Sequence, residues 1–253
     1  MVDYTLIGHT AVLTIRRPEA RNAVNGAVAR AMEEAIDRLE SDDGAWVGVL
    51  AAEGPVFSAG ADLKAIAAGR AAELTTVRGG FAGITRRQRD KPIIAAADGP
   101  ALAGGCEIAL ACDLIVASTR ASFGLPEVRR SLVAAGGGLF RLPRALPPAV
   151  AMEVVLTGDP LTAERAYAYG LVNELVEPGR AGEAATALSE RICANAPVAV
   201  RASRAVVLAA QASSDQALWD MSAAALASVV GTEDFAEGPR AFIEKRAPVW
   251  KGR

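Results

Sequence analysis

The sequence predicts an α/β core followed by a helical C-terminal region. Up to about residue 125, apolar runs rich in β-branched residues alternate with loops and helix-periodic segments, a pattern typical of strand–loop–helix units packed in layers. After about residue 142, successive segments have helical spacing and recurrent alanine. A chain of 253 residues can hold one large domain with a smaller appendage. We expect a core over residues 1–195 and a helical region over residues 196–253.

The individual elements follow from local patterns. "DYTLIG" and "AVLTIRR" predict a hairpin with His9 in its turn, and Asn25 predicts the cap of an amphipathic helix. "WVGVLAAE", "PIIAAA" and "DLIVAS" predict buried strands, and a polar helical stretch is expected from about Glu73 to Asp90. A further helix is expected to begin near Gly104 and Gly105. From "PPAVAMEVVLTG" onward, the spacing predicts successive helices.

Composition excludes several classes of function. The net charge of −2 and an aromatic content of 5% argue against a nucleic-acid-binding protein or one recruited to an anionic membrane. Asp98, Glu107 and Asp113 interrupt the longest apolar run, which argues against a membrane span. With one histidine and no CxxC pair, a Ser-His-Asp hydrolase and the usual zinc sites lack their residues. Three cysteines in apolar surroundings, without an N-terminal signal pattern, predict reduced thiols in a cytoplasmic protein.

Two loop-to-helix junctions share one design. In "FSAGADL", Gly60 permits a tight path that leaves the N–H of Ala61 exposed at a helix start, and Gly104 and Gly105 do the same in "ALAGGCE". Such N–H groups have no acceptor within the helix. If the two converge, they form an oxyanion hole for a carbonyl oxygen that gains negative charge. The alternative from spacing alone is that both are ordinary tight turns.

Two glutamates lie near the second junction. Glu107 is one turn into its helix, among apolar neighbours, and Glu127 follows a proline twenty residues later. A buried carboxylate needs either a partner or a task. Two carboxylates in one poorly solvated pocket would raise one apparent pKa, so that one acts as an acid and the other as a base. The alternative is an ion pair between Glu107 and Arg129 or Arg130.

Several motifs occur together and in order along nearly the whole chain: "RPEARNAVN", "FSAGADLKAI", "DGPALAGGCEIALACDLIVAS", "FGLPEV", "GGGLFRLPR", "LTGDPLTAERAYAYGLVNELV" and "EDFAEGPRAFIEKRAP". In this set and spacing the chain resembles the enoyl-CoA hydratase/isomerase (crotonase) superfamily. The resemblance implies a crotonase-like ββα-repeat spiral core with a helical C-terminal trimerisation region. The assembly it implies is a homotrimer or a homohexamer formed as a dimer of trimers.

The same resemblance implies an acyl-CoA thioester as ligand, with no nucleic-acid or membrane partner. Its carbonyl oxygen would lie between the N–H groups of Ala61 and Gly104. Glu107 and Glu127 occupy the positions of the two catalytic glutamates of hydratases, which orient a water and manage protons as it adds across the α,β double bond. No cofactor is implied, since coenzyme A is part of the substrate. The activity implied is that of a hydro-lyase in fatty acid metabolism and β-oxidation.

For coenzyme A itself, the resemblance implies main-chain contacts near Arg21 and Ala59. Lys64 and, from a C-terminal helix, Phe242 and Lys245 are candidates to contact its phosphates or adenine. Lys and Arg contacts of this kind would explain how a slightly acidic protein binds a polyanion. The alternative for each is a plain surface or packing residue.

The chain departs from the hydratase pattern after Glu127. Hydratases typically carry Gly, Pro and Gly before the Gly-Gly pair, whereas this chain has Ser131, Ala134 and Ala135 in "VRRSLVAAGGG". Arg129 and Arg130 form either a solvated face or a partner for a polar acyl group. "GLFRLPRALPPAVAMEVVLTG" also resembles the carnitinyl-CoA dehydratase branch. The alternatives are therefore a dehydratase of that type, an enoyl-CoA isomerase and a non-catalytic acyl-CoA-binding protein.

Overall fold

The computed structural model describes residues 1–253. The strands are β1 (Val2–Ile7), β2 (Thr10–Ile15), β3 (Val47–Ala52), β4 (Thr75–Thr76), β5 (Gly80–Phe81), β6 (Ile93–Ala97), β7 (Ala101–Leu102), β8 (Leu114–Ser118), β9 (Ser122–Gly124), β10 (Leu161–Thr162) and β11 (Glu174–Val176). The helices are α1 (Gly26–Ser41), α2 (Leu63–Ala67), α3 (Gly104–Ala111), α4 (Gly138–Ala145), α5 (Pro148–Thr157), α6 (Ala163–Ala168), α7 (Ala181–Cys193), α8 (Pro197–Ala209), α9 (Asp215–Val229) and α10 (Glu233–Glu244). The predicted α/β core and helical C-terminal region are confirmed.

Three sheets organise the core. The largest has the order β1-β2-β3-β6-β8-β11. Only the β1–β2 pair is antiparallel, as the predicted hairpin requires, and the other pairs of this sheet are parallel. A smaller sheet has the order β10-β9-β7, and β4 pairs with β5 alone. The parallel strands need crossover connections, which bring loops and helices such as α3 to one end of the sheet.

The large sheet is covered on both faces. Every residue of β6 is buried, as expected for a central parallel strand. Its side chains alternate between two apolar clusters, with Ile93, Ala95 and Ala97 in the larger one and Ile94 and Ala96 in the smaller. The smaller cluster includes Ala185 and Leu188 of α7. This alternation follows the two-residue period of a strand and fixes which side chains of β6 face each cluster.

The helix predicted after Asn25 is confirmed, since the Asn25 side chain accepts a hydrogen bond from the Val28 N–H at the start of α1. The polar helix expected from Glu73 to Asp90 is wrong. That segment contains a short 3-10 turn and the β4–β5 hairpin, with positive φ at Gly80, Ala82 and Gly83. Left-handed residues at this density end a helix before it can propagate.

The C-terminal helices are joined to the core through a buried ion-pair network. Asp113 accepts hydrogen bonds from Arg89 Nη2 and Arg204 Nε, each at 2.9 Å. Arg204 lies on α8 and also donates to the Arg89 carbonyl at 2.6 Å. By length and apolar character, no single helix qualifies as a membrane span, and α7 and α8 do so only when joined across a bend of 106°.

Candidate active site

The Gly60–Ala61 turn is the first half of the site. Gly60 has a φ of +85°, and a Cβ at this position would lie 2.7 Å from the Gly104 backbone nitrogen. Two hydrogen bonds hold the turn in place. The Gly60 N–H donates to Ser58 Oγ, and the Ser58 hydroxyl donates to the Asn22 carbonyl. Ala61 precedes the α2 cap, Asp62, and is therefore not at the helix start itself. Only glycine at position 60 lets the two loops approach this closely.

The second half of the site is the start of α3. Ala103 has a φ of 52° and a ψ of −128°, a strained conformation for a residue with a side chain. The two glycines after it are needed for space. A Cβ on Gly105 would lie 2.1 Å from the Ser58 carbonyl oxygen, and one on Gly104 would lie 2.4 Å from Phe81 Cε1. The prediction of a tight glycine junction is right, but the strained residue is the alanine.

The N–H groups of Ala61 and Gly104 find no acceptor within the protein. Because the Gly60–Ala61 turn lies against Gly104, both donors lie near the start of α3. Two unused donors there can together bind a carbonyl oxygen as it gains charge. Phe81 forms a wall beside them, since its ring edge packs on Gly104.

Glu107 lies one turn into α3 and is only 4% exposed. Its Oε1 accepts a hydrogen bond from the Gly138 N–H at 3.0 Å. Burial raises the pKa of Glu107, while N–H groups of Gly138 and Gly136 and the charge of Arg141 partly oppose this. The ion pair with Arg129 or Arg130, which the sequence left open, is not formed. The carboxylate is held by backbone N–H groups instead.

Glu127 lies in a 3-10 turn over Pro126–Arg130 and is partly buried. Burial raises the pKa of Glu127, a hydrogen bond from its own backbone N–H lowers it, and the charge of Glu107 raises it again. A Cβ on Gly138 would lie 2.9 Å from Leu125 Cδ1 and 3.1 Å from Glu107 Cγ, so the chain just before Glu127 passes close to Glu107. The Oε2 atom of Glu127 is buried and has no hydrogen-bond partner in the protein. A buried oxygen without a partner is one that a water or a substrate can satisfy.

The neighbouring arginines point elsewhere. Arg129 donates through Nε to the Thr157 carbonyl at 3.0 Å and pairs with Asp159, so it closes the C-terminal end of α5. Arg130 is exposed. Ser131 ends the 3-10 turn in the left-handed conformation, with a φ of 55°. The segment that departs from the hydratase pattern therefore begins with a strained non-glycine residue.

The residues expected to contact coenzyme A fall into two groups. Arg21, Ala59 and Lys64 surround the Gly60–Ala61 turn, where the Ala59 N–H donates to the Arg21 carbonyl at 3.0 Å and Lys64 is exposed on α2. Phe242 lies on α10 and is 85% exposed, and Lys245 follows at its C-cap. Helix α10 packs on the C-terminal tail through Asp234. Both side chains of the second group are exposed to solvent.

Comparison with known proteins identifies the family to which the chain belongs. The model of the enoyl-CoA hydratase/isomerase family matches residues 8–253. The chain belongs to this family. A carnitinyl-CoA dehydratase from Salmonella typhi is 41% identical over 247 residues, which cover 95% of this chain and 94% of that protein.

Two crystal structures from the enoyl-CoA hydratase/isomerase family also resemble this chain. An enoyl-CoA hydratase from Mycobacterium tuberculosis H37Rv superimposes with a TM-score of 0.95 at 47% identity, covering 100% of this chain and 99% of that one. A carnitinyl-CoA hydratase from Mycobacterium avium has a TM-score of 0.78 at 45% identity, with coverage of 100% and 98%. The expected crotonase-like fold is confirmed.

Sequence reasoning missed three features of this family member's site. The sequence predicts a helix at Phe81, whereas the structure places it in β5, directly after two glycines that favour a turn. Gly136 and Gly138 pack directly on Glu107, but the glycine run in the sequence does not identify the side chain that it contacts. Arg141 belongs to "GGGLFRLPR", and the local pattern predicts no role for it.

Proposed function

We propose that this protein is a hydro-lyase of acyl-CoA thioesters that reversibly hydrates 2-enoyl-CoA to 3-hydroxyacyl-CoA. One observation carries the proposal: the start of α3 combines unused N–H groups with the buried carboxylate of Glu107, and Glu127 has a buried oxygen without a hydrogen-bond partner. Membership of the enoyl-CoA hydratase/isomerase family supports it.

The proposed reaction uses each group once. The thioester carbonyl oxygen accepts hydrogen bonds from the N–H groups of Ala61 and Gly104. Glu107 takes a proton from a water as the water oxygen bonds to Cβ, and the electron pair of the double bond moves toward the thioester as an enolate. Glu127 then donates a proton to Cα. Dehydration follows the same path in reverse.

The two carboxyl environments support these roles. Glu107 accepts a hydrogen bond from the Gly138 N–H, which orients its carboxylate and partly opposes the rise in pKa that burial causes. Glu127 has a buried oxygen without a hydrogen-bond partner, which a water or a substrate can satisfy. On these contacts we assign the role of base to Glu107 and the role of acid to Glu127.

Coenzyme A binding is proposed at Arg21, Ala59 and Lys64, which surround the oxyanion-hole turn. Phe242 and Lys245 are exposed, and we propose that they contact coenzyme A at the site of an adjacent copy. This fits the homotrimer or dimer of trimers that we propose as the assembly.

A panel of 2-enoyl-CoA and 3-hydroxyacyl-CoA thioesters, with carnitinyl-CoA included, tests the function by absorbance and mass. We expect a water-sized mass change with the wild type and a loss of kcat of about 10²–10⁴ in both Glu107→Gln and Glu127→Gln. Glu34→Gln, an exposed change on α1, is the control.

Three other outcomes are informative. A double-bond shift without mass change that depends on one glutamate alone would mean isomerisation. Turnover of carnitinyl-CoA in preference to the simple acyl thioesters would favour the dehydratase named in the Salmonella typhi relative. Saturable binding of thioesters without turnover would leave an acyl-CoA-binding protein.

A further inference from the structure

Arg141, on α4, contacts the segment that holds Glu107 in place. Its Nη1 donates to the Gly136 carbonyl at 3.2 Å and its Nη2 to the Thr85 carbonyl at 2.7 Å. The side chain is partly buried. A planar guanidinium can bridge two carbonyls in fixed geometry, which a lysine ammonium on its flexible stem does not reproduce.

The segment held by Arg141 is the one that packs on Glu107. The Gly138 N–H donates to Glu107 Oε1, and a Cβ on Gly136 would lie 2.5 Å from Glu107 Oε2. A small shift of this glycine strip therefore changes the position of the carboxylate. Such displacements are costly in acid–base chemistry, where an error of about 1 Å can lower the rate roughly 100-fold.

The charge of Arg141 also faces Glu107. It lowers the pKa of that carboxyl, against the larger effect of burial. The pKa of Arg141 is itself lowered, first by burial. The titratable and charged groups around the pair come from four elements of the fold: Arg89 before β6, Cys112 after α3, Glu127 in the 3-10 turn, and Arg144 on α4. Of the groups that act on Glu107, Arg141 is the cation.

We propose that Arg141 is a positioning residue, which holds the Gly136–Gly138 strip against Glu107 and presents a positive charge to that carboxylate. It does not touch the reacting atoms. The inference rests on the proposed function for its catalytic consequence, but its effect on Glu107 can be measured without turnover.

Two substitutions separate the bridge from the charge. Arg141→Gln removes both, so we expect kcat to fall roughly 10- to 100-fold with KM little changed, and the acid limb of the pH–rate profile to move up by about one unit. Arg141→Lys keeps the charge but not the bridge, so kcat should fall while the acid limb stays in place. Arg144→Gln, an exposed change three residues along the same helix, is the matched control.

Infrared difference titration of the free protein gives the readout that needs no substrate. The carboxyl band lost in Glu107→Gln identifies Glu107, and its midpoint should lie higher in Arg141→Gln than in the wild type and in Arg141→Lys. The inference is overturned if the titration midpoint of Glu107 in Arg141→Gln equals that of the wild type. It is also overturned if Arg141→Lys retains the wild-type kcat. If the wild type shows no turnover but the midpoint of Glu107 is still higher in Arg141→Gln, the proposed function alone is overturned.

Discussion

Burial of Glu107 makes its ionised form less favourable in the folded protein than in water. The residue is 4% exposed, and its partner is a backbone N–H rather than a cation in direct contact. Burial penalises the ionised form and raises the pKa. The proposed chemistry needs this desolvation, because a carboxylate with a full hydration shell is a weaker base. Activity and folding stability therefore place opposite demands on this residue.

A prediction about stability follows for Glu107→Gln. Because the folded-state pKa is raised, the carboxyl favours folding fully below its ordinary value of 4.5, and this contribution is lost as the pH rises through the folded-state pKa. Glutamine keeps an acceptor for the Gly138 N–H and does not ionise. We expect the variant to melt about 2–4 °C above the wild type at alkaline pH, with the gain vanishing at about pH 4.

Differential scanning calorimetry across this pH range measures the effect. Glu34→Gln on the exposed face of α1 serves as the control and should track the wild type. A Glu107→Gln variant that is less stable than the wild type at every pH would mean that Glu107 stabilises the fold as an ordinary structural carboxylate.

At the scale of elements, the site is made where α3 and α4 begin. Helix α3 presents the free Gly104 N–H and, one turn later, Glu107, while the strip before α4 supplies the N–H that Glu107 accepts. The contact between the two helices passes through glycines at 136 and 138, where no Cβ fits. The backbone of these glycines packs directly on the Glu107 carboxylate and leaves no room for water between them.

Gly136→Ala tests that packing. Its new Cβ would lie 2.5 Å from Glu107 Oε2, so either the strip or the carboxylate must move. We expect kcat to fall roughly 10- to 100-fold while circular dichroism stays unchanged. Gly182→Ala in α7, where a Cβ meets nothing within 4 Å, is the matched control and should stabilise the protein by up to about 1 kcal/mol. Equal activity in the two variants would contradict the proposed packing role.

At the scale of the whole molecule, the C-terminal helices present an apolar surface. No residue of α9 is buried, and its Trp219 is 73% exposed. Val207 and Leu208 of α8 are exposed and line a groove of about 640 Å³ between α8 and the core. Exposed apolar side chains grouped in this way are typical of an interaction site, and we propose that they form the contact of the proposed trimer.

Trp219→Glu is expected to convert the proposed trimer to monomers, because it places a charge among the exposed apolar side chains of the C-terminal helices. Sedimentation velocity measures the change, and near-native circular dichroism would show that the chain still folds. Ile7→Glu, on the exposed edge strand β1, makes the same chemical change outside the C-terminal helices and should leave the assembly intact. A monomeric wild type, or a trimeric Trp219→Glu, would exclude this contact.

Local sequence patterns predict the layered α/β core, the cap of α1, the hairpin at His9 and the two candidate catalytic glutamates. These depend on short-range causes: side-chain periodicity, capping and the turn preferences of glycine. The resemblance of ordered motifs added the family. The segment from Glu73 to Asp90 was misassigned as a helix, because its charged residues have helical spacing while its glycines adopt left-handed conformations.

The surroundings of Glu107 follow from the packing of distant segments and not from local sequence. The bond from Gly138 crosses 31 positions of the chain, and the bond from Arg141 to Thr85 crosses 56. Contacts at such separations depend on how whole elements pack, so no local pattern encodes them. The same packing turned Arg129 away to Thr157 and Asp159 and put Phe81 against Gly104. Local sequence is therefore enough to identify the candidate catalytic groups, whereas long-range packing determines their environment.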